Sequence, residues 1–126
     1  MRKLLCNLKY NFDKIPTEEF DLVYTAGLYD YIKTFPLEDH KGTVALTANL
    51  FKMVKPGGSL VIGNFSPNNP KHMLFPMEYV MEWQLIYRTK QEMINFAKTI
   101  TENQIKNIDV LQEPLGINYF LKIEKK

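Results

Sequence analysis

Residues 50 to 65 read LFKMVKPGGSLVIGNF: the end of a helix-patterned run, a breaker, and an apolar strand, with almost nothing in between. From Thr43 to Val54 the apolar residues Val44, Ala48, Phe51 and Val54 recur at helical spacing, and Ala45, Leu46 and Leu50 widen the stripe. That pattern predicts a helix lying on a sheet. KPGG at 55 to 58 ends it, because Pro56 cannot continue a helix and Gly57 or Gly58 can take the left-handed conformation at its end. Leu60, Val61 and Ile62 then form a continuous apolar run, the mark of a strand covered on both faces. A strand set directly behind a helix in this way leaves few options besides an α/β layered fold.

The rest of the chain agrees with that class. DLVY (21 to 24) reads as a second strand, and the TAG that follows turns abruptly small. Further strands are expected over RKLLCNL (2 to 8) and, as a closing hairpin joined through Pro114 and Gly116, over IDVLQEP and INYFLKIE. Residues 66 to 76, SPNNPKHMLFP, form a long irregular loop, and a helix is expected over MEYVMEWQLIY. The last helix starts at Thr89, with Glu92 placed to complete a capping box. With 126 residues, of which 45% are hydrophobic, the chain supports one core, so residues 1–126 are read as a single domain.

Composition removes several functions. The net charge is +2, and the only basic cluster, Lys122, Lys125 and Lys126, is too sparse for a nucleic-acid footprint. A lone cysteine, Cys6, excludes an internal disulfide and a Cys-rich zinc site, and it suits a reducing compartment. No apolar run approaches the roughly 18 residues of a membrane span. A cytoplasmic protein without membrane or nucleic-acid partners is expected. His40 and His72 are isolated in loops, so no metal site is assigned.

In an open α/β sheet, ligands sit beyond the carboxyl ends of parallel strands. Two such ends are marked here. Thr25, Ala26 and Gly27 follow one strand, where Gly27 allows close backbone approach, and Gly63 and Asn64 follow the next. FDLVYTAGLYDYI and LFKMVKPGGSLVIGNF, at this separation, resemble the middle of a class I S-adenosylmethionine-dependent methyltransferase: its fourth strand, the following helix, and a fifth strand introduced by a PGG turn. MEYVMEWQLIYRTKQEM and EPLGINYFLKIE are similar to a subgroup of bacterial methyltransferases in which a Trp and an Ile-Tyr-Arg precede the last helix. The resemblance covers nearly the whole chain.

The resemblance implies a partial Rossmann-like α/β sandwich, mostly parallel with a C-terminal antiparallel hairpin, and methyl transfer from S-adenosylmethionine; the lack of a basic stripe favours a small-molecule acceptor, with protein and lipid as the alternatives. By position it gives Asn7 and Leu8 to the adenine, Thr25, Ala26 and Gly27 to the methionine part of the cofactor, and Tyr29 and Asp30 to the neighbourhood of the methyl group. Asn64 and Phe65 fall on the substrate side, and Glu78, Trp83, Tyr87 and Arg88 in the substrate cover. A sulfonium already carries its leaving group, so such a site mainly orients its reactants. Asp30 is then a general base or a helix cap; Tyr29 and Tyr87 hold a substrate or cation by a ring face or simply pack; Arg88 binds substrate or pairs with an acid.

The sequence also departs from the family. It contains no G-x-G-x-G loop and no following strand ending in a ribose-binding acid; what is present corresponds to the family's third strand onward. Two strands that normally separate RKLLC from DLVY are missing, which bares an edge of DLVY and predicts a homodimer or a rearranged sheet edge. The expectation is a methyltransferase C-terminal fragment that is inactive alone. The alternative is a non-catalytic module that dimerises or docks through its open edge.

Overall fold

The computed structural model describes residues 16–35, 37–38, 40–67 and 85–126. Strand β1 (Phe20–Thr25) is followed by a 3-10 turn (Tyr29–Tyr31), helix α1 (Gly42–Lys52) and strand β2 (Val54–Phe65). A short helix α2 (Lys90–Ile94), continued by one 3-10 turn (Asn95–Ala97), leads to strands β3 (Ile105–Gln112) and β4 (Asn118–Lys125). The sheet order is β1-β2-β4-β3. The expected first strand over residues 2 to 8 lies outside the described residues, as does the expected helix over MEYVMEWQLIY except for residues 85–87, which are not helical.

The expected parallel pairing and the closing antiparallel hairpin are both present. β1 and β2 pair in parallel, but β4 runs antiparallel to both β2 and β3, so the described sheet is mixed. The reason is the closing hairpin: its second strand, not its first, takes the place beside β2.

Coverage on both faces also fails among the described residues. Leu60 and Ile62 of β2 are fully buried, with Val23, Leu121 and Ile123 on the same side, and Leu50, Phe51, Met93 and Phe96 from the helical layer join them in one core. Both helices therefore lie on one side of the sheet. On the other side Leu22 and Tyr24 are 55% and 53% exposed, although Tyr24 sits in register with the half-buried Val61. Period-two alternation along β1 sends Val23 to the core and its neighbours to the open face.

Local chemistry fixes the helix ends. Gly42 opens α1 at φ +66, and a Cβ there would lie 2.2 Å from the Lys33 carbonyl oxygen, so glycine is required. The helix stops at Lys52, two residues short of the expected Val54, which already belongs to β2. KPGG is accommodated within the assigned strand: Phe20 faces Val54 while Leu22 faces Ser59, so the extra residues of β2 bulge out beside Asp21. At α2 the expected capping box is present, with Glu92 N–H donating to Thr89 Oγ1 at 3.3 Å and Thr89 N–H to Glu92 Oε1 at 3.2 Å.

Two ties close opposite ends of the sheet. Lys125 is buried, and its Nζ donates to the Val54 carbonyl at 3.0 Å, reaches Glu18 at 3.4 Å and lies 5.0 Å from the Phe51 ring centroid. It pins the last strand to the end of α1 instead of contributing to a basic surface. Glu113 gathers the β3–β4 turn by accepting backbone N–H groups from Leu115 (2.7 Å), Asn118 (3.1 Å) and Ile117.

Candidate functional site

The parallel pair β1 and β2 ends at adjacent points, with Thr25 opposite Ile62, so the segments after Thr25 and after Ile62 emerge side by side. They are joined by a carboxylate. Asp30, in the 3-10 turn after β1, is 1% exposed, and its Oδ1 accepts the Phe65 N–H of β2 at 2.8 Å. Its backbone oxygen accepts the Ile86 N–H at 2.8 Å, which draws the strap of residues 85–89 across both strand ends. The Arg88 N–H completes the strap by donating to the Phe65 carbonyl at 3.1 Å.

Arg88 lies at the centre of this arrangement. It is 2% exposed, the largest fully buried side chain among the described residues. Nη1 donates to the Tyr29 carbonyl at 2.6 Å and to Asn64 Oδ1 at 2.8 Å; Nη2 donates to the Ile32 carbonyl and to Thr34 Oγ1 at 3.3 Å. Its guanidinium carbon sits 5.2 Å from the Phe96 ring centroid. A buried guanidinium costs several kcal/mol of desolvation unless its N–H groups are satisfied, and four internal acceptors satisfy them here. Asn64 is likewise committed, since its amide nitrogen donates to the Ile86 carbonyl at 2.9 Å and to the Phe65 carbonyl at 3.1 Å.

Tyr29 is fully buried; its hydroxyl bonds Thr47 Oγ1 at 2.7 Å and its ring packs 5.1 Å from that of Phe96. Burial drives its ionisation well above the usual tyrosine range, against the opposing pull of Thr47 and Arg88. Burial is also the largest influence on Asp30 and raises its carboxyl, while the Phe65 hydrogen bond and the nearby Arg88 charge pull it back. Arg88 is lowered by burial, with Glu92, Asp30 and Tyr29 opposing.

Of the residues singled out from sequence, the structure brings Thr25, Gly27, Tyr29, Asp30, Asn64, Phe65 and Arg88 together at the two strand ends, with Ala26 exposed beside them and Tyr87 half-buried on the strap. Asn7, Leu8, Glu78 and Trp83 lie outside the described residues. Sequence reasoning passed over Thr34 and Thr47. Thr43 and Thr47 are hydroxyls one helical turn apart on the buried stripe of α1, and a polar pair on an apolar face was the available signal.

The strand ends have features that fit a cofactor. The Thr25 hydroxyl oxygen is buried and has no hydrogen-bond partner among the described residues. Gly27 holds φ +80, and a Cβ placed on it would meet, among the described residues, only Asp30 Oδ2 at 4.0 Å. An unsatisfied hydroxyl and an open backbone at a strand end are what a small polar ligand requires.

Comparison with solved structures decides the fold. A Thermotoga maritima SAM-dependent methyltransferase matches 90% of this chain with a TM-score of 0.61 at 13% identity. The chain has the class I methyltransferase fold. A Burkholderia thailandensis 1,6-didemethyltoxoflavin-N1-methyltransferase, solved with S-adenosylhomocysteine, matches 91% of it with a TM-score of 0.53 at 17% identity, and a Methanosarcina mazei SAM-dependent methyltransferase matches 90% with a TM-score of 0.52 at 17% identity. The chain spans only 59%, 47% and 62% of these three proteins, about half of a methyltransferase chain. No family model and no curated protein matches the sequence. Among the described residues, no helix is long and apolar enough to cross a membrane.

Proposed function

We propose that the chain is the C-terminal part of a class I S-adenosylmethionine-dependent methyltransferase domain, lacking the first two strands of the sheet, that acts in the cytoplasm on a small-molecule acceptor. The observation that carries the reading is the Asp30 to Phe65 bond, which fixes an acidic side chain across the carboxyl ends of two parallel strands. Thr25, Ala26 and Gly27 would line the amino-acid part of the cofactor, with Asn7 and Leu8 at its adenine. The cofactor supplies an activated methyl group on a sulfonium. Asp30 holds the acceptor and takes its proton; Phe65, Glu78, Trp83 and Tyr87 line or cover the acceptor.

In this reading Tyr29, Asn64 and Arg88 act from behind the site. Their polar groups are spent on one another, on the hydroxyls of Thr34 and Thr47 and on backbone carbonyls, so they set the position of Asp30 instead of touching substrate. The absence of a G-x-G-x-G loop from the sequence leaves the cofactor with one wall, and the chain alone therefore binds it weakly and does not turn over. Calorimetry with S-adenosylmethionine tests this, with and without an upstream G-x-G-x-G polypeptide. Strong binding or measurable turnover by this chain alone would contradict the half-pocket.

The open face of β1 favours a second reading, a module that pairs with another copy of itself. Leu22 and Tyr24 are exposed apolar side chains on a strand at the end of the described sheet order, the kind of edge that invites pairing. Light scattering at increasing concentration should show a dimer that Leu22→Lys dissociates; a monomer throughout removes this reading.

A further inference from the structure

We infer that the methyl acceptor is a nitrogen nucleophile, held by one of its own N–H groups on Asp30 Oδ2. The inference rests on the methyltransferase reading above and adds the acceptor class to it.

Apart from the Thr25 hydroxyl, which has no partner among the described residues, the side-chain donors at the strand ends are already consumed. Both terminal nitrogens of Arg88 are occupied by Tyr29 O, Ile32 O, Asn64 Oδ1 and Thr34 Oγ1. The Asn64 amide nitrogen is occupied by the carbonyls of Phe65 and Ile86, and the Tyr29 hydroxyl is paired with Thr47, which itself donates to the Thr43 carbonyl at 2.7 Å. A carboxylate or phosphate acceptor would thus find no side-chain cation free to meet it among these groups.

The acceptors are not consumed. Asp30 is a nearly buried carboxylate with one oxygen held by the Phe65 N–H, and among the described residues no hydrogen bond reaches the other. A Cβ built on Gly27 would lie 4.0 Å from that second oxygen and meet no other atom of the described residues within that distance. Thr25 Oγ1, on the near side of the same glycine in sequence, is buried and unpartnered among the described residues. A carboxylate oxygen without a donor is a strong acceptor for a ligand N–H.

The same contact suits the chemistry. A nitrogen held through its N–H keeps its lone pair directed away from Asp30, and the proton it sheds once alkylated has Oδ2 as its acceptor. Burial of Asp30 raises its carboxyl, which brings its basicity closer to that task.

The test uses the full chain labelled with 15N and three probes: benzylamine, benzoate and S-adenosylhomocysteine. Benzylamine is expected to move the amide resonances of Gly27, Asp30 and Phe65 saturably, with benzoate leaving them in place. Asp30→Asn, which keeps an oxygen for the Phe65 N–H, should weaken benzylamine by roughly tenfold or more, the loss expected for a charge-assisted bond made neutral, and weaken S-adenosylhomocysteine by much less. Benzoate binding as well as benzylamine, or benzylamine unaffected by Asp30→Asn, would overturn the inference. So would an equal loss of S-adenosylhomocysteine, because Asp30 would then serve the ammonium of the cofactor. S-adenosylhomocysteine without effect at Thr25, Ala26 and Gly27 would bring down the methyltransferase reading, whereas benzylamine without effect beside an active S-adenosylhomocysteine brings down only the acceptor class.

Discussion

Arg88 donates to the side-chain oxygen of Asn64 at 2.8 Å, and with that bond the strap after the second half of the chain is fastened to the end of β2. The same guanidinium reaches back to the turn that follows β1 through the carbonyls of Tyr29 and Ile32. One buried cation thereby sets the relative position of the two strand ends from which the candidate site is built.

Arg88→Met removes that cation and leaves buried acceptors at Tyr29, Ile32 and Asn64 unpaired. The cost should be large, ~3 kcal/mol or more, since each orphaned acceptor loses a hydrogen bond to a charged donor. Urea denaturation gives the number. Arg88→Lys should recover only part of it, because an ammonium cannot reproduce the planar fork.

Asp30 makes the fold sensitive to pH in a defined direction. Burial raises its carboxyl in the folded protein, more than the Phe65 bond and Arg88 lower it, so the folded state holds the proton more tightly than the unfolded chain. Its contribution is fully present below the unfolded value and is lost as pH rises through the raised one. Glu113 has the opposite sign. Desolvation pushes it up, but N–H bonds from Leu115, Ile117 and Asn118 outweigh that and lower it, so its contribution is present at neutral pH and lost on acidification. Thermal melts across the acid range should show Asp30→Asn removing the decline on the rising-pH side, and Glu113→Gln flattening the acid side.

Gly42→Ala tests the entry to α1. A methyl group there would collide with the Lys33 carbonyl oxygen in a backbone conformation that alanine avoids, and the expected loss is on the order of 2 kcal/mol. Guanidinium unfolding should show it, with Gly57→Ala as a contrast in which the φ penalty remains but the added methyl meets nothing within 4 Å.

Thr89→Ala removes the cap of α2 and should cost about 1 kcal/mol. Far-UV circular dichroism during urea unfolding measures it. Glu92→Gln, which keeps the reciprocal bond, should cost less.

The capping box was legible in the sequence because it is local: Thr89 and Glu92 are three residues apart, and their spacing alone states the geometry. The helix over α1, the strand at SLVIGNF and the closing hairpin were legible for the same reason, as periodicity and turn residues act over short range. The place of INYFLKIE beside β2 was not legible from IDVLQEP or INYFLKIE themselves; it followed only from the resemblance, whose strand order 4-5-7-6 is the β1-β2-β4-β3 found. Nor was Arg88, whose partners Tyr29 and Asn64 are distant in the chain; an arginine within a polar-looking stretch reads as surface until the fold buries it. At Asp30 the sequence offered a base or a cap, and the structure adds a third function, a brace between strands through Phe65.

The central claim is that the carboxyl ends of β1 and β2 form one wall of a methyltransferase pocket. Titrating the 15N-labelled chain with S-adenosylhomocysteine tests it most directly. Shifts confined to Thr25, Ala26, Gly27, Asp30 and residues 63–65, with affinity no tighter than about millimolar, are the predicted result. No shift at these amides at any concentration, or shifts centred on Glu18, Val54 and Lys125 at the opposite end of the sheet, would contradict it.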